Sequence, residues 1–281
     1  FDKIRYSTPD VQELLTSVKG KSVGENTKFQ QRVRIGNTHY DMLKGGLHSV
    51  RQPEVFERTA DVDILEADVS SYYPNAMINF GIKPAHLHPE FLEILKDITH
   101  TRLKAKKQED WVTSDGLKIT INSVFGKMGY PYSWMYDLKA LYSVTINCQL
   151  FLLMLIEMLE ENGFEVFYGN TDGLFTKVPK ERRDEYDYFC RRWQEYTGFD
   201  LDFEPYNKCV IRDVNNYLIE KADGSLKMKG AFDTERHGDL GKGYEYPVVP
   251  LAVRDYFISG IPPEVTIQNH EDILDFCIAQ K

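Results

Sequence analysis

A mixed α+β fold, a mostly antiparallel sheet backed by helices, is what this sequence predicts. Short runs of β-formers bounded by turn residues recur at Val62–Val69, around Phe164–Phe175 and between 199 and 232. Stretches with apolar residues at helical spacing fill 89–108 and 139–162. The two kinds of segment do not alternate as β-α-β units. The helices instead form an excursion between two strand regions, one ending in Asp68 and the other turning at Asp172, which argues against a parallel α/β sheet.

Residues 1–60 are mixed, with a Gly45-Gly46 pair after Tyr40-Asp41-Met42-Leu43-Lys44. Val62, Ile64 and Leu65 lead a strand into Asp68, and Pro74 soon ends extended pairing. Phe91, Leu92, Leu95, Ile98 and Leu103 mark a helix whose far end is basic, with Arg102, Lys104, Lys106 and Lys107. Gln108 to Gly116 reads as a turn, and Ser114 or Asp115 as the cap of a second helix to about Phe125, the pair making an antiparallel hairpin. A long apolar helix over 139–162 stops at Asn162-Gly163. A strand, a turn at Asp172 and a strand follow. Then come a helix over 181–197, strands near 199–204, 209–213 and 216–221, and a turn at 222–225 into 226–232.

With 281 residues the chain has room for one large domain or two to three lobes around a shared core. A net charge of −9 argues against a simple basic DNA-coating protein, but leaves room for an enzyme with local cations and metal-holding carboxylates. Cys148, Cys190, Cys209 and Cys277 form no close pair, so neither a zinc site nor a disulfide framework is indicated, and a reducing compartment is expected. The longest apolar run, Leu150–Ile156, is short for a bilayer crossing, and no signal peptide is visible, so no membrane partner is expected. Starting at Phe1 and ending mid-pattern, the chain reads as a piece of a longer protein.

Four constellations carry chemistry. In Asp68-Val69-Ser70-Ser71-Tyr72-Tyr73-Pro74-Asn75 a strand ends in a carboxylate and the chain turns. Backbone N–H groups at Ser71 to Tyr73 can make an anion nest beside a metal at Asp68, which suits a triphosphate. Lys118 and Asn122 share one helix face, and Gly126 leaves room where that helix stops. Arg102 and Lys106, also four apart, can converge with Lys118 on one polyphosphate. Asp172, on its turn, becomes a metal ligand in company with Asp68. Each feature has a plainer meaning alone: a strand end, a solvated lysine, a helix end suited to its dipole, a turn former.

In this order the elements resemble the family B DNA polymerases. Asp68 to Pro74 looks like the motif D-x-x-S-L-Y-P. Lys118 to Gly126 resembles K-x-x-x-N-S-x-Y-G, with Phe125 for Tyr. Tyr168 to Gly173 resembles Y-x-D-T-D-S. The resemblance covers roughly 40–235, and its short helical hairpin looks like the fingers of phage-type members. It implies a palm from 61–84 and 127–235, fingers at 85–126, an N-terminal segment over 1–60 with a template-contacting Gly-Gly turn, and the start of a thumb over 236–281.

It also implies roles. Asp68 and Asp172 would bind two Mg²⁺ ions, for which Mn²⁺ can substitute, with the Val69 carbonyl assisting. Ser70, Ser71, Tyr72 and Tyr73 would line the nucleotide site, Tyr73 excluding a 2′-hydroxyl. Arg102, Lys106 and Lys118 would grip the triphosphate. Asn122 and Gly126 would lie beneath the nascent base pair, and Gly45-Gly46 would touch the template. Tyr217, with Lys227, Lys229 and Gly230, would hold primer or duplex. The implied partners are primer–template DNA and dNTPs, with priming and processivity factors left open, and the implied location is the cytoplasm, that of the host cell if the protein is viral.

Three positions depart from the pattern: Asn170 stands for the first Asp of the third motif, Gly173 for its Ser, and Asn215 for the Lys of K-x-Y. Asn170 is read as a natural variant. The expected function is DNA-directed DNA synthesis in viral replication. The competing readings are an inactive relative that binds primer–template as a structural factor and a ribonucleotide-using, primase-like enzyme, against which Tyr73 argues. The loop pair His86 and His88 is given no metal role, and Tyr130, Tyr132 and Trp134 are expected to pack internally.

Overall fold

The structure is a computed structural model that describes residues 3–21, 23–24, 26–234 and 246–278. The elements run α1 (Pro9–Val18), β1 (Gln30–Ile35), β2 (Thr38–Leu43), β3 (Leu47–Val50), β4 (Glu54–Glu57), β5 (Val62–Val69) and α2 (Tyr72–Phe80). Next come α3 (Glu90–Lys107), α4 (Trp111–Lys127), α5 (Leu138–Glu161), β6 (Glu165–Asn170), β7 (Gly173–Pro179) and α6 (Arg183–Thr197). The chain continues with β8 (Leu201–Asp213), β9 (Asn216–Lys221), β10 (Leu226–Lys229), α7 (Val248–Ser259) and α8 (Pro263–Asn269).

All ten strands join one sheet in the order β1-β2-β3-β6-β7-β5-β8-β9-β10, with β4 paired to β8. Each pairing is antiparallel. β5 lies between β7 and β8, with Asp68 opposite Gly173 on one side and Asp202 on the other. This register carries the site. A slip by one residue would turn Asp68 to the opposite face.

Helix α5 underlies the sheet. The Asp137 carboxylate caps it by accepting from Ala140 N at 3.0 Å, and also takes Ala85 N at 2.9 Å. Phe151, Leu152, Leu153, Leu155 and Ile156 are fully buried against the sheet and α6. The helix is long and apolar enough to cross a membrane, but most of its apolar window is buried inside this fold. Truncating one of its core leucines to Ala costs about 2–5 kcal/mol. From α5, buried Glu157 accepts the N–H groups of Ser7 (3.0 Å) and Thr8 (2.9 Å), anchoring the start of α1.

The helices fall close to their expected bounds, with differences that have local causes. α4 starts at Trp111, capped by Asp110, whose carboxylate accepts from Thr113 N at 3.1 Å. The Asp110 cap and Glu109 at φ 59° close the α3–α4 turn early, so neither Ser114 nor Asp115 is the cap. Gly126 lies inside α4 rather than at its stop. Pro74 does not follow a loop but sits in the first turn of α2, where its missing N–H is harmless. The two strands expected at 199–204 and 209–213 are one strand, β8, because Pro205 is accommodated opposite Leu65. The mixed stretch 1–60 holds a helix and four strands. The 226–232 strand ends at Lys229, and a single 3₁₀ turn follows. Residues 236–245 and 279–281 of the expected thumb lie outside the described residues; α7 and α8 lie in its described part.

Candidate active site

One cleft of about 300 Å³ gathers side chains from β5, α2, α3, α4, β8 and the β6–β7 turn. Asp68, Val69, Ser70, Ser71, Tyr72, Tyr73, Arg102, Lys106, Lys118, Asn122 and Asp172, all singled out from the sequence, line it. The acidic floor is built by strand pairing. Asp68 ends β5, and the Val69 N–H donates to the Asp172 carbonyl at 2.8 Å, clipping the β6–β7 turn to the central strand. Thr171, at φ 60°, makes that turn tight. Asp68 Oδ1 lies over Gly173, where an added Cβ would meet it at 3.0 Å, so the residue found in place of Ser leaves the carboxylate room.

Burial, and then the neighbouring charges of Asp172 and Glu66, push the Asp68 carboxyl up to about 7. Burial likewise raises Asp172, with Glu66 adding and Lys227 and Lys229 opposing. Two adjacent half-desolvated carboxylates are poor company without a cation. Among the described residues no three His, Cys, Asp or Glu side chains form a closed metal cage. A two-carboxylate donor set fits Mg²⁺, which keeps waters and takes substrate phosphates rather than an all-protein cage.

Cations face this floor. Arg102 Nη1 donates to Ser71 Oγ at 2.6 Å, while its buried Nε has no protein acceptor. Lys106 Nζ reaches across to Asp202 Oδ2 at 3.1 Å, and Ser70 Oγ donates to the same oxygen at 2.6 Å. Ser71 is left-handed (φ 47°) at the start of α2, so the unpaired first N–H groups of that helix open toward the cleft. Tyr72 turns its ring into the core and donates to the Cys148 carbonyl at 2.5 Å, which leaves only its backbone for a ligand. Tyr73 stacks on Phe125 with centroids 4.4 Å apart, and its hydroxyl donates to the Gly45 carbonyl at 3.2 Å.

The remaining predicted residues lie around the cleft. Gly46 sits against Thr171, whose Oγ1 would be 2.9 Å from an added Cβ. Gly126 is exposed on open space. Lys229 lies over the Tyr217 ring at 5.9 Å, and Tyr217 is edge-on to Tyr168. Lys227 is 3.6 Å from Glu66 Oε1. Gly230 opens the 3₁₀ turn in which Ala231 N donates to Asn216 Oδ1 at 2.8 Å.

Sequence reasoning missed Asp202 and Glu66. Their signal was alternation: Glu66 precedes Asp68 by two on β5, and Asp202 precedes Glu204 by two on β8, so each pair shares a face. The aromatic loop is a correction. Tyr130, Tyr132 and Trp134 are exposed, because the chain from α4 to α5 runs over the surface. His86 is engaged with the Trp134 carbonyl at 2.7 Å.

No family model matches the sequence. DNA polymerase 2 of Saccharolobus solfataricus is 26% identical over 213 residues, covering 66% of this chain and 32% of that protein. DNA polymerase II of Escherichia coli is 29% identical over 146 residues, covering 43% of this chain and 19% of that protein. The chain thus spans a third or less of these relatives. The family B DNA polymerase from Pyrobaculum calidifontis aligns with a TM-score of 0.54 at 18% identity, over 88% of this chain and 34% of that one. The chain is therefore similar in sequence to archaeal and bacterial DNA polymerases, and over most of its length it has the fold of a part of a family B DNA polymerase.

Proposed function

We propose that this chain carries the nucleotidyl-transfer site of a DNA-directed DNA polymerase, adding dNTPs to a primer 3′ end on a DNA template. The observation that carries the reading is the cleft itself: two carboxylates, from β5 and the β6–β7 turn, oppose three cations from a helical hairpin. Positioning and electrostatic stabilisation do most of the work in phosphoryl transfer, and this arrangement supplies both.

Asp68 and Asp172 would hold two Mg²⁺ ions, with the Val69 carbonyl at hand. When bound, the ions would lower the pKa of the primer hydroxyl and neutralise charge on the leaving pyrophosphate. Arg102, with its unpartnered Nε, and Lys118 take the triphosphate oxygens, joined by the N–H groups that open α2. Lys106 exchanges Asp202 for the substrate. The Tyr73–Phe125 stack walls the sugar position, and Asn122 lies beside it on the α4 face. In this reading α3 and α4 are short fingers, the sheet is the palm, α7 and α8 begin a thumb, and the protein belongs to a phage-like branch serving viral replication in the host cytoplasm.

The absence of Lys at position 215 favours the rival reading, an inactive relative that only binds primer–template. Lys229 beside Tyr217 answers it, since a cation stands next to the aromatic ring without one at 215. Primer extension with Mg²⁺ and dNTPs by the full-length protein decides. Extension that Asp172→Ala abolishes supports the enzyme, whereas tight primer–template binding with no extension supports the rival.

A further inference from the structure

A second groove, between α1 and α5, lies outside the cleft, and none of its residues has a part in the chemistry above. Its floor is apolar and aromatic, with Ile146, Leu150 and Tyr142, and its rim carries Lys19, Lys21 and Lys139. No carboxylate lines it, although the chain has 43 acidic residues against 34 basic ones. None of the three lysines is ion-paired with a carboxylate among the described residues. Unneutralised cations beside a mostly apolar floor match the chemistry of a single-stranded nucleic acid, whose phosphates take the lysines and whose bases lie on the apolar surface.

The groove connects to the cleft through a short chain of contacts. Gly46 packs on Thr171, beside Asp172. Lys44, next to the Gly45-Gly46 turn, lies over the Tyr142 ring at 5.4 Å, and Tyr142 lines the groove. The Gln149 side chain fixes this stretch to α5 by accepting from Leu43 N (3.1 Å) and donating to Leu43 O (2.7 Å). A strand that left the cleft across the Gly-Gly turn would meet Lys44 and Tyr142 at the edge of the groove.

We infer that the α1–α5 groove binds the unpaired template strand ahead of the insertion site, a role that rests on the polymerase reading. An acidic peptide is the other polyanion that could fit the lysines, but it would leave the apolar floor of Ile146 and Leu150 unused.

The test compares the full chain with a Lys19→Gln, Lys21→Gln, Lys139→Gln variant. Fluorescence anisotropy reads binding to primer–templates with a one-nucleotide or a long template overhang. The variant should lose about tenfold or more in affinity for the long overhang, with the slope of log K against log salt falling by about 2, and should match the parent on the short one. Equal affinity for the long overhang, or equal loss on both substrates, overturns the inference, as does lysine-dependent binding of a polyglutamate peptide without any oligonucleotide effect. Primer extension separates the two readings. Extension with unchanged overhang binding removes the groove and keeps the polymerase, while overhang-dependent binding without extension keeps the groove and removes the polymerase.

Discussion

The Asn170 side-chain amide donates to the Val214 carbonyl at 3.1 Å and to the Tyr168 hydroxyl at 3.0 Å. Tyr168 itself donates to the same carbonyl at 3.0 Å, and Asn170 Oδ1 accepts from Thr171 Oγ1 at 3.0 Å. The residue that breaks the acidic motif thus ties the Asp172 turn to the turn between β8 and β9.

Asn170→Asp should therefore destabilise the chain, even though it restores the motif. A carboxylate cannot donate to Val214, and it adds charge beside two carboxylates already raised by burial. Loss of a partly buried hydrogen bond with an acceptor left facing an acceptor costs about 1–3 kcal/mol. Thermal unfolding without Mg²⁺ should show a lower Tm, partly recovered when Mg²⁺ is added; a Tm equal to the parent's in both conditions refutes the account.

Asp202→Asn should release Lys106 and Ser70 together. The Lys106–Asp202 pair is about half exposed, so its contribution is small, about 0.2–1 kcal/mol. In primer extension the KM for dNTP should fall by about 1.5- to 5-fold with kcat little changed. A rise in KM would mean that Asp202 helps to hold substrate rather than competing for Lys106.

The metal-free protein should be more stable at acid than at alkaline pH across the range where Asp68 titrates. Burial holds its folded carboxyl at about 7, above the unfolded value. The folded state then binds the extra proton, so the stabilisation is complete below the unfolded value of about 3.9 and is lost as pH rises through about 7. Asp68→Asn should flatten this slope in pH-dependent denaturation. Because cation binding needs the ionised pair, the Tm gain from Mg²⁺ should be larger at about pH 8 than at about pH 6. An Mg²⁺ effect independent of pH would remove Asp68 from the binding set.

Tyr73→Val should admit ribonucleotides, and Tyr73→Phe should not. The ring, stacked on Phe125, is the proposed wall; the hydroxyl contributes a bond to Gly45. The readout is the ratio of ribo- to deoxynucleotide incorporation. If Tyr73→Phe relaxes selection as much as Tyr73→Val, the hydroxyl and its hold on the Gly-Gly turn are the discriminating feature.

The sequence showed what local periodicity and motif spacing encode. The β5 strand was legible to the residue because Val62, Ile64 and Leu65 run into Asp68 ahead of a turn. Helix α5 was legible because its leucines are dense and Asn162-Gly163 marks its end, whereas its cap at Asp137 was seen only in the structure. The cleft followed once Asp68, Lys118 and Asp172 were placed in order. What stayed hidden depends on partners far apart in the chain. Asp202 gains meaning only when β8 pairs with β5, 132 residues from Ser70. The stretch 1–60 looked mixed because β1, β2 and β3 are short; they pair locally with one another and join the rest of the sheet where β3 meets β6. The aromatic loop misled because ring content predicts burial in general, while the local course of the chain kept those rings outside.

The mating of Gly46 with Thr171 has a mechanical consequence. One turn belongs to the N-terminal strands and the other carries Asp172, yet with no side chain at Gly46 they touch as two teeth of one gear. If a template strand rests on the first turn, as proposed, a tug on it would reach the carboxylate on the second through this contact.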